Sequence, residues 1–337
     1  MSRPLSPDFA RKLEEHSLKP LWTIARDLNT NEPRTAEQAE IWRWADFQPL
    51  IAATIAEVSV EDAVRRVLIM ANPAYGGKPA TAGSLNACLQ ILQPGEVAPP
   101  HRHSISAIRL ITSAAGGITM VDDAACPMRE GDLILTPGWC WHAHRNDTDR
   151  GVAWIDILDV PLVTGFDAVF FEPGSGNMPP GRPNAGPESY RHEWAAMRTA
   201  LDATPPAADG SRVRRYVDPM HGGAIMPTID CDALALAAGR ETQANRSTAG
   251  AVCFVVAGEG SSTIGGRRID WRKNDVFTLP HWQWVTHCAS VPSYLIVTSN
   301  REMLLRLGLL VTETEEGGVR RRRRAEGGSE GGGAENA

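Results

Sequence analysis

Three histidines in the first half of the chain have the spacing of metal ligands. His101 and His103 are two residues apart, and His142 follows 39 residues after His103. Residues two apart on a β-strand project from the same face, so the first two imidazoles point to one side of a sheet. A later antiparallel strand can bring His142 back beside them. The sequence therefore predicts a metal site with three neutral imidazole ligands and open coordination positions.

The segments that carry these histidines occur a second time in the chain. "GDLILTPGWCWHAH" at 131–144 matches "NDVFTLPHWQWVTH" at 274–287, and "HRH" at 101–103 matches "NRS" at 245–247. Two motifs in the same order and at nearly the same spacing indicate a duplicated domain.

The second copy lacks the ligands. Asn245, Ser247 and Val285 stand where the first copy has its three histidines. A first-row metal ion needs about three strong nitrogen or oxygen donors, and a valine side chain has none. We therefore expect one metal ion per chain, in the first copy.

Short β-rich runs must position these residues. "AIRLIT", "GITMV", "DLILTP" and "GVAWIDIL" are separated by Gly, Asp and Pro, which favours an all-β-dominated fold. Before them, Thr35 and Gln38 fit a capping box at the start of a helix. The expected divisions are a helical arm at 1–64, a first barrel at 65–174, a Pro/Gly linker with a short helix at 175–210, a second barrel at 211–312 and a disordered Arg/Gly/Glu tail at 313–337.

Composition bounds the kind of partner. The 337 residues carry a net charge of −6, which argues against nucleic acid as a partner. No run approaches the roughly 20 apolar residues of a membrane span. The six cysteines form no CxxC pair, and the first residues have no apolar run typical of a signal peptide. We expect reduced thiols in a cytoplasmic protein that binds no membrane.

The complete motifs resemble those of cupins. Gly95-x5-His101-x-His103 and Gly131-x5-Pro137-x4-His142-x3-Asn146 are the two cupin motifs, so the duplicated chain resembles a bicupin with two jelly-roll barrels. "LQILQPGEVAPPHRHSISAIRLI" together with "GDLILTPGWCWHAHRND" is similar to the gentisate/salicylate 1,2-dioxygenase family, which includes 5-nitrosalicylate- and 1-hydroxy-2-naphthoate-type members.

The resemblance implies an activity. A ferrous ion would be held by His101, His103 and His142, although all-imidazole sites also accept Mn(II). The substrate would be a 2-hydroxybenzoate such as gentisate, salicylate or 5-nitrosalicylate, bound to the metal through its carboxylate and phenolic oxygens. With O2, the ring would open between the two carbons that bear those groups. The family also implies a homotetramer.

Several polar residues are candidates for binding the substrate. Arg109 lies where cupins often place a glutamate ligand; we assign it to the strand of His101 and His103, facing the same interior, where it would pair with the carboxylate. Arg65 matches a second family arginine, with Arg66 as its competitor. Gln90 matches a substrate-contacting position and would hydrogen-bond the carboxylate.

Three further residues complete the predicted site. His144 is two residues from His142 and also faces inward, where it suits an acid/base role beside the metal. Asp156 would orient that imidazole. His287, however, persists in the copy without ligands, which indicates that this position also has a packing role. Asn86 would accept a hydroxyl, nitro or halogen group at ring position 5.

Two other functions fit the same residues. A cupin isomerase or decarboxylase would use Mn(II) or Zn(II) without O2. A bicupin that only binds a ligand would have no turnover. The three histidines and the inward arginines argue against the bicupin that only binds a ligand, and oxygen uptake on adding a 2-hydroxybenzoate separates the isomerase or decarboxylase from the dioxygenase.

Overall fold

The computed structural model describes residues 5–59, 63, 65–174, 185–219 and 221–325. The chain divides into two units, Met1–Ala36 and Glu37–Ala337. The first unit contains helices α1 (Pro7–Glu15) and α2 (Leu21–Leu28), both within the predicted helical arm. Ser6 caps α1, because its hydroxyl oxygen accepts the amide hydrogen of Phe9.

The second unit begins with two elements that precede the first barrel, strand β1 (Ile41–Trp42) and helix α3 (Trp44–Glu57). The predicted capping box at Thr35 and Gln38 is wrong, since α3 starts at Trp44. The amide of Trp44 instead donates to Oδ1 of Asp275, 2.8 Å away and more than 200 residues later in the chain. A tertiary contact therefore caps this helix.

The first barrel consists of two sheets. Its strands in chain order are β2 (Arg66–Ile69), β3 (Asn86–Leu92), β4 (Val97–His103), β5 (Ala107–Ile111), β6 (Ile118–Val121), β7 (Ala124–Pro127), β8 (Leu133–Thr136), β9 (His142–Arg145), β10 (Val152–Leu158), β11 (Phe171–Pro173) and β12 (Arg191–His192). One sheet has the order β12-β8-β5-β10-β3-β2, and the other has the order β11-β4-β9-β6-β7. Helix α4 (Val160–Gly165) and 3₁₀ turns at Pro73–Tyr75 and Pro187–Ser189 complete this half.

The second barrel follows helix α5 (Trp194–Asp202) and repeats the plan. Its strands are β13 (Arg212–Arg215), β14 (Asp230–Leu236), β15 (Ala244–Ser247), β16 (Ala251–Ala257), β17 (Glu259–Ile264), β18 (Arg267–Arg272), β19 (Val276–Leu279), β20 (Val285–Ala289), β21 (Ser293–Ser299), β22 (Val311–Glu316) and β23 (Val319–Arg324), with helix α6 (Arg301–Arg306) after β21. The sheets have the orders β1-β19-β16-β21-β14-β13 and β18-β17-β20-β15-β22-β23. Two barrels in a mostly β chain confirm the predicted fold class.

The barrels exchange their short edge strands. β1 precedes the first barrel in sequence but pairs with β19 of the second, whereas β12 precedes the second barrel but pairs with β8 of the first. The helices that follow are capped alike, since the amide of Trp194 donates to Asp132 at 2.9 Å just as that of Trp44 donates to Asp275. The predicted boundaries at 1–64 and 175–210 therefore need correction, because segment 1–64 contributes a strand to the second barrel and segment 175–210 contributes one to the first.

The two barrels share a hydrophobic layer. Along β3, Leu89 and Ile91 belong to a buried cluster that also contains Phe254 and Ile296 of the second barrel. The alternate residues of β3, by contrast, face the interior of the first barrel. Both faces of this strand are buried, which explains why it reads as one apolar run broken only by a few polar residues.

The predicted disordered tail is wrong for residues 313–324, which form most of the β22–β23 hairpin. Successive arginine side chains of β23 point to opposite faces of the strand, and those of Arg320 and Arg322 find partners on one face. Arg320 lies over Trp284 at 5.2 Å, and Arg322 lies over Trp282 at 5.4 Å and pairs with buried Glu313. Gly317 and Gly318 supply the two positive φ angles of the connecting turn. Residues 326–337 of the tail and 175–184 of the linker lie outside the described residues.

Candidate metal centre

Two neighbouring strands bring the three predicted histidines together. β4 carries His101 and His103, and β9 carries His142 directly opposite His101 in the antiparallel register. All three are buried, and one ring nitrogen from each lies within 4.8 Å of the others. In the described part of the chain, this is the one group of three histidine, cysteine or carboxylate side chains with metal-binding spacing.

Backbone carbonyls fix the orientation of each ring. Nδ1 of His101 lies 2.8 Å from the oxygen of Pro99, Nδ1 of His103 lies 2.7 Å from that of Ile105, and Nδ1 of His142 lies 3.0 Å from that of Cys140. Since a carbonyl only accepts, each Nδ1 carries the proton and each Nε2 presents a lone pair. Hydrogen bonds to the far nitrogen are the usual means of aiming a metal-binding imidazole.

The protonation state of the rings suits metal binding. Burial, followed by the charge of Arg65, lowers the pKa of His101 to about 4. Burial is also the largest cause that lowers the pKa of His103 and, further, that of His142. Neutral imidazoles with free Nε2 atoms are the donor set that Fe(II), Mn(II) or Zn(II) takes, so these residues fit a first-row metal ion.

The second barrel preserves the strand pairing without the ligands. Asn245 lies opposite Val285, as His101 lies opposite His142. The His144 position is retained as His287, whose Nδ1 lies 2.7 Å from the Ser262 hydroxyl. Burial lowers the pKa of this imidazole to about 4. The ring is thus a neutral core residue of the second barrel.

A cavity of about 370 Å³ opens beside the histidines. Its wall includes every predicted site residue except His101. Asn86, Cys88 and Gln90 of β3 form one side of the cavity. Each pairs with a residue of the neighbouring strand β10, which pairs in turn with a residue of β5. The remaining lining residues are Ala63, Arg65, Val67, Ile69, His103, Ile105, Ala107, Arg109, His142, His144, Asp156, Leu158, Val160, Val169, Phe170 and Phe171, besides Asn86, Cys88 and Gln90.

Arg109 is not on the strand of His101 and His103, which corrects the prediction. That strand ends at His103, and Arg109 belongs to β5 in the opposite sheet. Its guanidinium nevertheless reaches the cavity. Nε and Nη2 donate to Asp156 at 2.8 and 3.2 Å, and Nη1 donates to Thr119 at 2.8 Å and to Nδ1 of His144 at 2.9 Å. Protein groups therefore engage all three of its nitrogens.

These contacts assign the proton of His144. A guanidinium can only donate, so Nδ1 of His144 accepts and the proton is on Nε2. Burial and the neighbouring charge of Arg109 hold the pKa of His144 well below its usual value. Asp156 was expected to orient this imidazole directly. It instead binds Arg109 and the indole nitrogen of Trp154, at 2.9 Å, and so acts on His144 through the arginine.

The two candidate arginines at 65 and 66 have different surroundings. Arg66 is buried in an ion pair with Glu96, with Nη1 2.6 Å from the carboxylate, and it does not line the cavity. Arg65 lines the cavity, and its Nη1 lies 2.8 Å from Nε2 of His101. This contact agrees with a lone pair on that nitrogen. Burial lowers the pKa of Arg65.

Two polar side chains of β3 face the cavity. Gln90 is buried, and in the described structure its Nε2 has no hydrogen-bond partner. An unpaired buried donor costs free energy unless a ligand supplies an acceptor. Asn86 is also buried, and its Nδ2 donates to the carbonyl of Pro79 at 3.0 Å.

Sequence reasoning missed two contributors to the site. Phe171 stacks on His101 with ring centroids 5.5 Å apart, and the guanidinium carbon of Arg65 also lies 5.5 Å from the centroid of the Phe171 ring. Thr119 joins Arg109 and His144. The repeat contained a signal for Thr119, because Ser262 lies at the matching position and bonds His287 in the same way. No comparable signal marks Phe171.

Comparisons with known proteins agree with this geometry. A cupin domain family model matches residues 88–158. Gentisate 1,2 dioxygenase 1 of Aquipseudomonas alcaligenes is 33% identical, over 89% of this chain and 94% of that protein. 5-Aminosalicylate 1,2-dioxygenase of Comamonas sp is 32% identical, over 90% and 88%.

A solved structure extends the likeness to three dimensions. Salicylate 1,2-dioxygenase from Pseudoaminobacter salicylatoxidans, in its adducts with gentisate, is 32% identical with a TM-score of 0.86, covering 94% of this chain and 96% of that one. No helix in the described residues has both the length and the apolar character needed to cross a bilayer.

The similarity in sequence and in structure to these relatives shows that the chain belongs to the gentisate/salicylate 1,2-dioxygenase family and is a ring-cleaving dioxygenase of hydroxybenzoates.

Proposed function

We propose that the chain binds one Fe(II) through His101, His103 and His142 and uses O2 to open a 2-hydroxybenzoate between C1 and C2. The observation that carries this proposal is the convergence of three histidine side chains with free Nε2 atoms beside a cavity that also contains the unpaired amide nitrogen of Gln90. Three protein ligands leave positions for a chelating substrate and for O2.

The polar end of the cavity suits a carboxylate. Arg65 borders the metal centre and has no acidic hydrogen-bond partner within the described residues, so its charge is available to an anion. Gln90 Nε2 needs an acceptor, which a carboxylate oxygen provides without adding charge. We assign the carboxylate to Arg65 and Gln90. Arg109, which the sequence suggested for this role, is already occupied by Asp156, Thr119 and His144.

His144 is the candidate proton donor. Its Nε2 carries the proton, and its side chain lines the cavity beside the metal ligands. The low pKa of the imidazole keeps it neutral at pH 7, so it offers a hydrogen bond and holds no charge of its own. Arg109 and Asp156 keep the ring in this tautomer.

The reaction balances without an external reductant. A bound ferrous ion would hold the two chelating oxygens of the substrate and make O2 reactive toward the ring. The C1–C2 bond breaks, the ring carbons supply four electrons, and both oxygen atoms enter the ring-opened dicarboxylate. Apolar side chains of the cavity wall such as Leu158 and Ala107 would limit the water that reaches the reacting atoms.

Relatives in the family are named for gentisate, salicylate and 5-aminosalicylate, so this chain's substrate is sought among salicylates with and without a ring substituent. Assembly as a homotetramer also remains a prediction, which the molar mass in solution tests.

Oxygen consumption is the decisive measurement. Iron-loaded protein given salicylate, gentisate or 5-aminosalicylate should consume one O2 per substrate, and 18O2 should place two labelled atoms in the product. Product formation without O2 would favour an isomerase or decarboxylase. Stoichiometric binding of every substrate without turnover would favour a binding protein, and either result would overturn the proposal.

A further inference from the structure

Arg102 lies between two of the metal ligands and points away from them. On β4, His101 and His103 are buried on the inner face of the barrel, whereas the side chain of Arg102 is 34% exposed on the outer face. Arg102 does not line the cavity. It therefore takes no part in the chemistry proposed above, and its contacts on the outer face indicate a different role.

One contact of Arg102 joins β4 to β11. Its Nε and Nη2 lie 2.7 and 2.6 Å from the same carboxylate oxygen of Glu172, which is the residue opposite it in the antiparallel register. Phe171 precedes Glu172 on this strand and stacks on His101, with 25° between the ring planes. The ion pair thus holds the strand whose aromatic ring packs against the first ligand.

A second set of contacts reaches the segment before His142. The guanidinium carbon of Arg102 lies 5.7 Å from the ring centroid of Trp139 and 4.9 Å from that of Trp141. Cys140 lies between these two tryptophans, and its carbonyl oxygen accepts the hydrogen bond from Nδ1 of His142. One guanidinium therefore contacts both residues that flank the carbonyl group aiming the third ligand.

The same contacts occur in the second barrel, which lacks the three histidines. Arg246 matches Arg102, and its guanidinium carbon lies 4.3 Å from the ring centroid of Trp282 and 4.9 Å from that of Trp284. Its Nη2 lies 2.6 Å from the carboxylate of Glu313. These contacts therefore stabilise the strand framework of both barrels, and a role in metal binding must be distinguished from this shared structural role.

The two barrels differ in how many cations lie over the tryptophans. In the second barrel, β23 adds two further arginines, and Trp282 is only 7% exposed. In the first barrel, β11 is the edge of its sheet and has no counterpart of β23 among the described strands. Trp139 is 45% exposed, and within the described residues Arg102 is the one cation over it and Trp141. Loss of Arg102 would leave these rings without a substitute.

We infer that Arg102 is a positioning residue of the metal centre, which from the outer face of the barrel fixes the segments that orient His101 and His142. This inference rests on the proposed function in one respect, because it requires a metal ion at the three histidines. Loss of a group that orients metal ligands typically changes metal affinity by about ten- to a hundredfold. Arg246 makes the same contacts in the barrel without the ligands, so its loss should affect stability and leave metal affinity unchanged.

The matched variants Arg102→Met and Arg246→Met separate the two roles in the full-length protein. Co(II) is the probe, because its visible absorption bands report the coordination geometry and titration of the metal-free protein gives a Kd. Arg102→Met should raise the Kd for Co(II) by about tenfold or more and shift the bands. Arg246→Met should change the Kd by less than about twofold, because it lies in the other barrel. Urea unfolding of the metal-free proteins measures the loss of stability that the two variants share.

Each result decides the question. Equal losses of Co(II) affinity in the two variants, or no loss in Arg102→Met, would overturn the role of Arg102. A wild-type protein that takes up no Co(II) would overturn both this role and the proposed metal centre. The expected Co(II) binding without ring cleavage by the iron-loaded protein would contradict the proposed function alone.

Lysine variants replace the pair if Arg102→Met does not fold. Lysine keeps the charge that faces the carboxylate but lacks the planar group that stacks on two indoles. The Kd for Co(II) should therefore rise in Arg102→Lys and stay at the wild-type value in Arg246→Lys. Equal values in these two variants would also overturn the role of Arg102.

Discussion

Arg109 donates from Nη1 to Nδ1 of His144 across 2.9 Å, and Asp156 holds the same guanidinium from its other side. Among the described residues, the matching positions of the second barrel hold no such pair. By register, Cys253 and Val297 lie opposite each other where the first barrel has Arg109 and Asp156. The same pair of strand positions thus holds a buried ion pair in the first barrel and an apolar pair in the second.

This comparison predicts how the pair responds to substitution. Arg109→Cys should destabilise the protein by about 3 kcal/mol or more, because it leaves the buried Asp156 carboxylate without its cation. Arg109→Cys combined with Asp156→Val should recover much of that stability, because it installs the Cys–Val pair that the second barrel has at these positions. The kcat of this double variant should stay at least about a hundredfold below wild type. Urea unfolding and steady-state rates measure both effects. Recovery of kcat in the double variant would show that the pair does not act on His144.

Substitution of Arg65 should impair substrate binding, whereas substitution of its neighbour Arg66 should impair stability. Arg65→Met should weaken substrate binding by about tenfold or more, with little change in unfolding, because its guanidinium faces the cavity. Arg66→Met should chiefly lower stability, by about 1–3 kcal/mol, because Glu96 would lose its buried partner. Anaerobic binding of salicylate and thermal unfolding distinguish the two. Equal losses of binding in both variants would contradict the assignment of Arg65.

A single substitution should give the metal centre the residue that the second barrel has at one ligand position. His142→Val installs the residue that the second barrel has at Val285, and it should reduce the metal content from about one ion per chain to near zero. Stability without metal should change little, since valine suits the same strand position. Elemental analysis after gel filtration provides the count. A wild-type content near two would mean that the second barrel also binds a metal.

His287 should make the stability of the protein depend on pH. Burial lowers its folded-state pKa to about 4, whereas the unfolded value is about 6.5. The unfolded state therefore takes up the proton first as the pH falls, and stability is lost between about pH 6.5 and 4. His287→Gln should remove up to about 3 kcal/mol of this pH dependence. Urea titrations at pH 7.5 and 4.5 compare the two proteins, and parallel losses in both would exclude His287 as a cause.

The two faces of β23 should contribute unequally to stability. Arg320→Ser with Arg322→Ser removes the side chains over Trp284 and Trp282 and should cost about 1–2 kcal/mol. Arg321→Ser with Arg323→Ser is the matched control on the opposite face and should change stability by less than about 0.5 kcal/mol. Equal effects from the two pairs would mean that the stacking contributes nothing.

Much of the metal site was predictable because strand geometry has period two. His101, His103, His142 and His144 keep their inward direction whatever the details of the turns. The strand of Arg109 was misassigned because the turn between His103 and Ala107 contains no glycine or proline to mark it. Its inward direction was still right, since a barrel has inward faces on both of its sheets.

Long-range partners explain what the sequence did not reveal. Two-residue strands such as β1 have no periodicity to recognise. The Arg-rich run resembles disordered segments in composition, yet Glu313 and two tryptophans some 40 residues earlier give it partners. Similarly, only the tertiary contact with Asp275 marks Trp44 as the first residue of α3.

The exchange of β1 and β12 has a consequence for dissecting the protein. A gene divided near residue 210 would separate β1 from the sheet edge it completes at β19. The front fragment would keep β12 paired with β8, but it would expose the hydrophobic surface that is buried against the second barrel. The rear fragment would have an unpaired, aggregation-prone sheet edge at β19. We expect neither fragment to fold stably on its own, whereas the two fragments produced together should associate into the native structure.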